Sequence, residues 1–210
     1  MLPFRMMSSA NEPNSEVPEV PHLKPSQIKE LRHACYQIDA PRSLQTTLEA
    51  LVQIRYDTGL RLVESLRSMW DWIFLGEEAL AVPLWALKCG GSRDGTIAFD
   101  LGADTVRTLA TLARDTPDRA DQPVFTRADG RKLEPELARH LIITAASASG
   151  IEAHQGSGKR VEPSEFPSQT LRNSTAYRLR VVEGYSLEDT SGRLGDPILE
   201  ITSRRYEFWD

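Results

Sequence analysis

Thr170-Leu171-Arg172-Asn173-Ser174-Thr175-Ala176-Tyr177-Arg178 decides how this chain reads. Leu171, Thr175, Leu179 and Val182 recur at helical spacing, which predicts an amphipathic helix with those side chains inward. Pro167 and Ser168 open it and Gly184 ends it. Arg172 then falls in the first turn or so, beside a buried leucine. A second arginine lies far upstream, in Tyr56-Asp57-Thr58-Gly59-Leu60-Arg61-Leu62-Val63-Glu64. Gly59 suits the left-handed position that closes a helix, so Arg61 opens the next one, near backbone amides that favour anions. The third element is Tyr206, between Arg205 and Glu207 near the end of the sequence.

At 210 residues the chain suffices for one full domain with a core. Its 40% apolar content is ordinary for a globular protein. No apolar run approaches the roughly 18 residues of a membrane span, and the start, Met1-Leu2-Pro3-Phe4-Arg5, does not read as a secretory signal. Cys35 and Cys89 have no ligand-like spacing, so neither a disulfide framework nor a zinc site is expected, and no cofactor is called for. A cytoplasmic location follows as the default. The net charge of −5 means that any basic surface must be assembled by folding rather than by composition.

Residues 1–22, with Pro3, Pro13, Pro18 and Pro21, read as a disordered tail, and 23–210 as one domain. Ser26 is placed to cap a first helix. A second runs from about Ser43 to Gly59 on Leu44, Leu48, Leu51 and Val52, and a third from Leu62 to Trp70. Ala79 to Leu87 and Thr96 to Leu101 read as strands joined by the glycine-rich tip Lys88-Cys89-Gly90-Gly91-Ser92-Arg93-Asp94-Gly95. Helices follow at about Asp104 to Arg114 and Glu134 to Ser149. Gly150 to Phe166 reads as a loop. Ser186 and Asp189 are spaced as a capping box for a short helix to Leu194, and Asp196-Pro197 opens a last one carrying Tyr206. The fold class is α+β, mainly helical, with a small antiparallel hairpin or sheet on one side.

Breaking a phosphodiester without a metal needs a nucleophile, cationic donors for the non-bridging oxygens, and an acid for the leaving oxygen. Arginine suits the second role, because its planar fork grips two oxygens and stays charged. A tyrosine supplies a covalent intermediate that conserves the phosphodiester energy. Lys88, at a hairpin tip, can reach a leaving oxygen as general acid. Taken singly, each residue also has a plain reading: Arg61 pairs with Glu64, Arg172 and Lys88 are solvated, and Tyr206 is a half-buried helix tyrosine.

In order and interval these residues resemble the catalytic domain of tyrosine recombinases, the phage-integrase family, and archaeal integrases in particular, over roughly residues 24–210. The segment Tyr56–Glu64 is similar to the first-arginine motif, Lys88 to the hairpin lysine, Thr170–Arg178 to the second-arginine box, and Leu194-Gly195 precedes Tyr206 at the family's interval. The resemblance implies that Arg61, Lys88, Arg172 and Tyr206 are catalytic. It further implies double-stranded DNA as partner, self-association on DNA, neither a membrane nor a small-molecule substrate, and strand exchange through a 3′-phosphotyrosine, as in the integration or excision of mobile elements. Two positions depart from the pattern. Gln169 stands where the family has histidine; it can donate a hydrogen bond but cannot shuttle a proton. Asp196 follows Leu194-Gly195 where histidine or tryptophan is usual, and is read as the cap of the last helix. The short tail before residue 24 leaves no separate clamp, which implies salt-sensitive binding. The alternatives are a degenerate relative that binds DNA without cleaving it, and an unrelated helical interaction protein. The first reading requires Arg61, Lys88, Arg172 and Tyr206 to converge on one concave, positively charged surface.

Overall fold

The computed structural model describes residues 20–88, 90, 94–115, 120–155, 159–166, 168–195, 202, 206 and 209. At its centre is α2 (Arg42–Thr58), in which Leu48, Ala50, Leu51, Val52 and Ile54 are wholly buried. A helix apolar on nearly every side must be surrounded. Around it pack α1 (Pro25–Ala34), α4 (Ala103–Arg114), α5 (Pro135–Ala148) and α6 (Thr170–Tyr177). A four-residue α3 (Leu62–Ser65) follows α2 directly. On one side lies an antiparallel sheet in the order β1 (Ile73–Phe74), β2 (Ala79–Pro83), β3 (Thr96–Asp100), with Leu80 opposite Phe99 and Val82 opposite Ile97. A second hairpin, β4 (Ala153–Gln155) and β5 (Lys159–Val161), precedes α6, and α7 (Leu187–Arg193) follows it. The chain is α+β and mainly helical, as its sequence indicates.

Several boundaries differ from the sequence reading for identifiable reasons. The helix expected to reach Trp70 stops at Ser65 because tertiary pairing takes its backbone. The Ser68 carbonyl accepts from the Val124 amide (3.0 Å), and the Trp70 amide donates to the Gln122 carbonyl (3.0 Å). β2 ends at Pro83, which has no amide to give a ladder. The stretch read as a loop from Gly150 contains β4 and β5. The His22 and His154 backbones also bond to each other in both directions, at 2.8 Å. His22, assigned to the tail, is therefore buried. α1 begins at Pro25, so Ser26 lies inside the helix and Lys24 before it. Ser186 caps α7 as expected, its hydroxyl accepting from the Asp189 amide (3.0 Å). Thr202 and Tyr206 are helical and buried, but Asp196 and Pro197 lie outside the described residues.

The junction between α2 and α6 determines where the site residues stand. A helix leaves its last carbonyls without internal partners, and at the end of α2 those partners come from α6. Arg172 Nη1 donates to Gly59 O (2.6 Å) and to Leu194 O (3.0 Å). Thr175 Oγ1 lies 2.8 Å from Tyr56 O, and Arg178 Nη2 donates to Asp57 O (3.1 Å). Spaced three apart, Arg172 and Thr175 share one face of α6, and Arg178 follows at its C-cap. The Asp57 carboxylate meanwhile accepts from Gly102 N (2.8 Å) and Thr105 Oγ1 (2.6 Å), which secures the start of α4. Gly59 itself has φ of 70°, and a Cβ there would stand 2.3 Å from Leu194 Cδ2. We expect Gly59→Ala to cost about 2–4 kcal/mol, from left-handed strain plus overpacking. Chemical denaturation against Gly76→Ala, whose Cβ would meet nothing within 4 Å, checks this.

Candidate functional site

Arg61 lies one residue before α3, in extended conformation, so its side chain projects from the turn that Gly59 makes. It borders a cleft of about 470 Å³ whose walls also carry Glu64, Arg67, Lys88, Arg139 and Gln169. A single buried carboxylate organises this wall. Glu64 Oε2 accepts from the Arg61 amide (2.8 Å), while Oε1 meets Arg61 Nη1 (3.1 Å) and the Lys88 amide (2.9 Å). The first arginine and the hairpin lysine are thus registered against each other through one side chain, leaving the Lys88 side chain exposed. Arg67 Nη1 donates to Ala86 O (3.0 Å) and holds the base of the hairpin. Arg139 Nη2 donates to Phe166 O (3.1 Å), just ahead of Gln169. Arg61, Arg67, Lys88 and Arg139 face only Glu64 and Glu136 among the lining residues, so the cleft is cationic on an acidic chain.

Arg172 and Tyr206 do not line this cleft. Arg172 is 1% exposed, with its guanidinium against the Gly59 and Leu194 carbonyls. Tyr206 is also 1% exposed. Its hydroxyl donates to Asn173 Oδ1 (3.0 Å), and its ring stacks on Trp209 with centroids 5.2 Å apart. The structure therefore brings together Arg61, Lys88 and Gln169 at the cleft, while Arg172 and Tyr206 are buried away from its walls, so the expected convergence of all four on one concave surface is not met in this conformation. The two groups adjoin: Gln169 and Arg172 stand three apart at the start of α6, and Gly59, which Arg172 holds, is two residues before Arg61. Asp196 falls outside the described residues.

An aromatic cluster closes over Tyr206. His22 stacks on Tyr177 (4.3 Å) and meets the edge of Trp209 (5.1 Å). Asn173 Nδ2 holds Pro21 O (2.9 Å) and the Ser174 hydroxyl accepts from Leu23 N (2.8 Å), which pins the chain before α1 to the second-arginine segment. Burial, more than any neighbour, lowers the His22 pKa to about 4. His154 lies in β4, beside His22 and Arg160. The Cys35 thiol, pushed up to about 12 by burial, is no nucleophile at neutral pH. Among the described residues no group of three or more His, Cys, Asp and Glu could hold a metal, and no helix is long and apolar enough to cross a membrane.

Sequence reasoning did not single out Glu64, Arg67, Arg139 or Asn173 for the site. Glu64 and Arg67 were visible as the next turns after Arg61. Arg139 carried no local signal, because its value depends on which way α5 packs.

No family model matches the chain, and no curated protein matches it by sequence. Solved structures do. The XerA recombinase superposes with a TM-score of 0.66 at 18% identity, covering 88% of this chain and 58% of that one. The XerH site-specific recombinase bound to its palindromic difH substrate, after cleavage, gives 0.68 at 18% identity, covering 92% and 50%. A lambda integrase dimer bound to a core site gives 0.60 at 17%, covering 89% and 48%. The chain thus spans about half the length of these proteins, and it has the fold of a tyrosine-recombinase catalytic domain.

Two measurements test the site's construction. Arg172→Met should cost about 2–5 kcal/mol in chemical denaturation, since two buried carbonyls lose their donor. Arg61→Ala, which leaves the buried Glu64 carboxylate with only its two backbone donors, should cost about 1–3 kcal/mol. The pH dependence follows from His22. Its pKa is lower folded than unfolded, so the stabilisation is complete above about 6.5, the ordinary histidine value, and is lost as pH falls from there through about 4. We expect a loss on the order of 2–3 kcal/mol over that window, much reduced in His22→Phe.

Proposed function

We propose that this chain acts on double-stranded DNA as a tyrosine-recombinase-type enzyme, with a backbone phosphate bound in the cationic cleft. One observation carries the reading: Arg61, Lys88 and Gln169, from three distant segments, border a single cationic cleft. The fold agrees, since XerH, with the same architecture, was captured on its DNA substrate. In the reaction the Arg61 guanidinium and the Gln169 amide stabilise the non-bridging oxygens. Arg172 contributes positive potential from below. Tyr206 Oη forms the bond to phosphorus as the bond to the 5′ oxygen breaks. Lys88 donates the proton that the leaving oxygen takes, and the phenol proton passes to solvent. Water replaces the family's histidine as proton shuttle, because Gln169 cannot carry a proton. Well-placed donors of this kind are each worth on the order of 3–4 kcal/mol in the transition state.

For this chemistry Tyr206 must exchange the Asn173 hydrogen bond and the Trp209 stack for the phosphate. That requirement favours a second reading, in which the chain binds DNA without cutting it. Its support is specific: Arg172 holds two backbone carbonyls and Tyr206 is sealed from solvent. Both readings share the cleft and differ only in whether the tyrosine emerges. Self-association on DNA belongs to the first, because strand exchange needs paired sites.

A nicked suicide duplex separates them. Cleavage releases a short fragment and traps the protein on DNA, so the first reading expects a covalent adduct that survives denaturation and is absent in Tyr206→Phe. No adduct, with binding retained and weakened at least tenfold in Arg61→Ala at low salt, supports the second. Affinity unchanged in Arg61→Ala would contradict both.

A further inference from the structure

α2 carries a charge that its surroundings do not explain. Arg55 is 3% exposed, on a helix that buries Leu51, Val52 and Ile54 just before it. Its Nη2 donates to the Ser168 carbonyl at 2.6 Å. Its Nε has no hydrogen-bond partner, and no carboxylate pairs with it among the described residues. The one charged group that shifts its pKa is another cation, Arg172, and burial shifts it more. Burial and that repulsion bring its pKa down to about 10, so it remains charged at neutral pH. The partial negative end of α2 offsets some of this cost. A buried cation without a counter-ion is still expensive, and methionine or leucine would pack the same space without it.

The location supplies a reason. Arg55, Leu62, Arg139, Ser168 and Thr170 surround a small cavity of about 30 Å³, and Leu62, Arg139 and Ser168 are also walls of the cleft. The carbonyl that Arg55 holds belongs to the residue before Gln169. Arg55 therefore fixes the backbone that delivers Gln169, and places a second buried guanidinium beside Arg172 on the inner side of an already cationic cleft.

We infer that Arg55 is a positioning residue of the cleft: it sets Ser168-Gln169 and holds a buried positive charge whose counter-ion is the phosphate that enters. This rests on the cleft's being a phosphate site, as proposed above. The charge that destabilises the empty protein then strengthens anion binding, so stability and affinity respond in opposite directions when it is removed.

The test is thermal unfolding of the full chain at pH 7.5 with low-millimolar inorganic phosphate, at fixed ionic strength. Wild type should show a saturable rise in Tm that Arg61→Ala loses. Arg55→Met should bind phosphate about tenfold more weakly, while its ligand-free Tm stays level or rises. Arg55→Lys, which keeps the charge, should bind within about threefold of wild type. Unchanged phosphate binding in Arg55→Met overturns the inference. So does a fall of more than about 5 °C in its ligand-free Tm, which marks a purely structural role. Should Arg55→Met fail to fold, Arg55→Gln decides, since it keeps an amide donor but loses the charge: phosphate binding about tenfold weaker supports the inference and binding within about threefold of wild type overturns it. A wild type without a saturable response overturns the cleft reading and this inference together. A response lost in Arg61→Ala but intact in Arg55→Met removes only the role of Arg55.

Discussion

Arg172 donating to the carbonyls of Gly59 and Leu194 is the constraint on which the site is built. α2 ends in a left-handed glycine, and the chain leaves it in a new direction toward Arg61. A carbonyl at that corner faces the interior and must be paired. Arginine, with several donors on one rigid plane, can reach two carbonyls from different segments at once. The same side chain that closes the corner therefore fixes α6 and the end of α7 against it. Gly59 permits this only because it has no Cβ, since Leu194 occupies the space where one would lie.

From that clamp the rest follows in layers. Above it, Glu64 ties Arg61 to the Lys88 backbone and Arg139 secures the stretch leading to Gln169, which together make the cleft. Below it, Asn173 joins Tyr206 to the segment before α1, under the rings of His22, Tyr177 and Trp209. Asn173 and Arg172 are adjacent in sequence, so the clamp on Gly59 and Leu194 and the hydrogen bond that holds Tyr206 come from one turn of α6.

Much of this was legible in the sequence. The apolar spacing on α2, the glycine between α2 and Arg61, and the Ser186 cap each reflect local chemistry, and each is found in the structure. On α6 Leu171, Thr175 and Leu179 are buried as expected, but Val182, also expected inward, is 55% exposed, because α6 ends at Tyr177 and the chain continues as a π-helical turn over Arg178–Val182. The intervals among Arg61, Lys88 and Arg172 also carried the family resemblance, and the fold comparison agrees with it. Three things were not legible. α3 stops at Ser65 because residues 122–124 claim the next backbone groups, which no local pattern records. The β4–β5 hairpin is short and polar, with no alternation to read. The layering of Arg61 apart from Arg172 depends on burial, and side chains of the same type look alike in a sequence. Arg55 illustrates the point: its neighbours suggest an apolar helix face, yet packing turns it toward Ser168.

The most direct measurement is a structure of the protein with a short DNA duplex. The account predicts a backbone phosphate in the cleft, within hydrogen-bond distance of both Arg61 and Lys88. Duplex bound on another face, with that cleft left clear of phosphate, would contradict it.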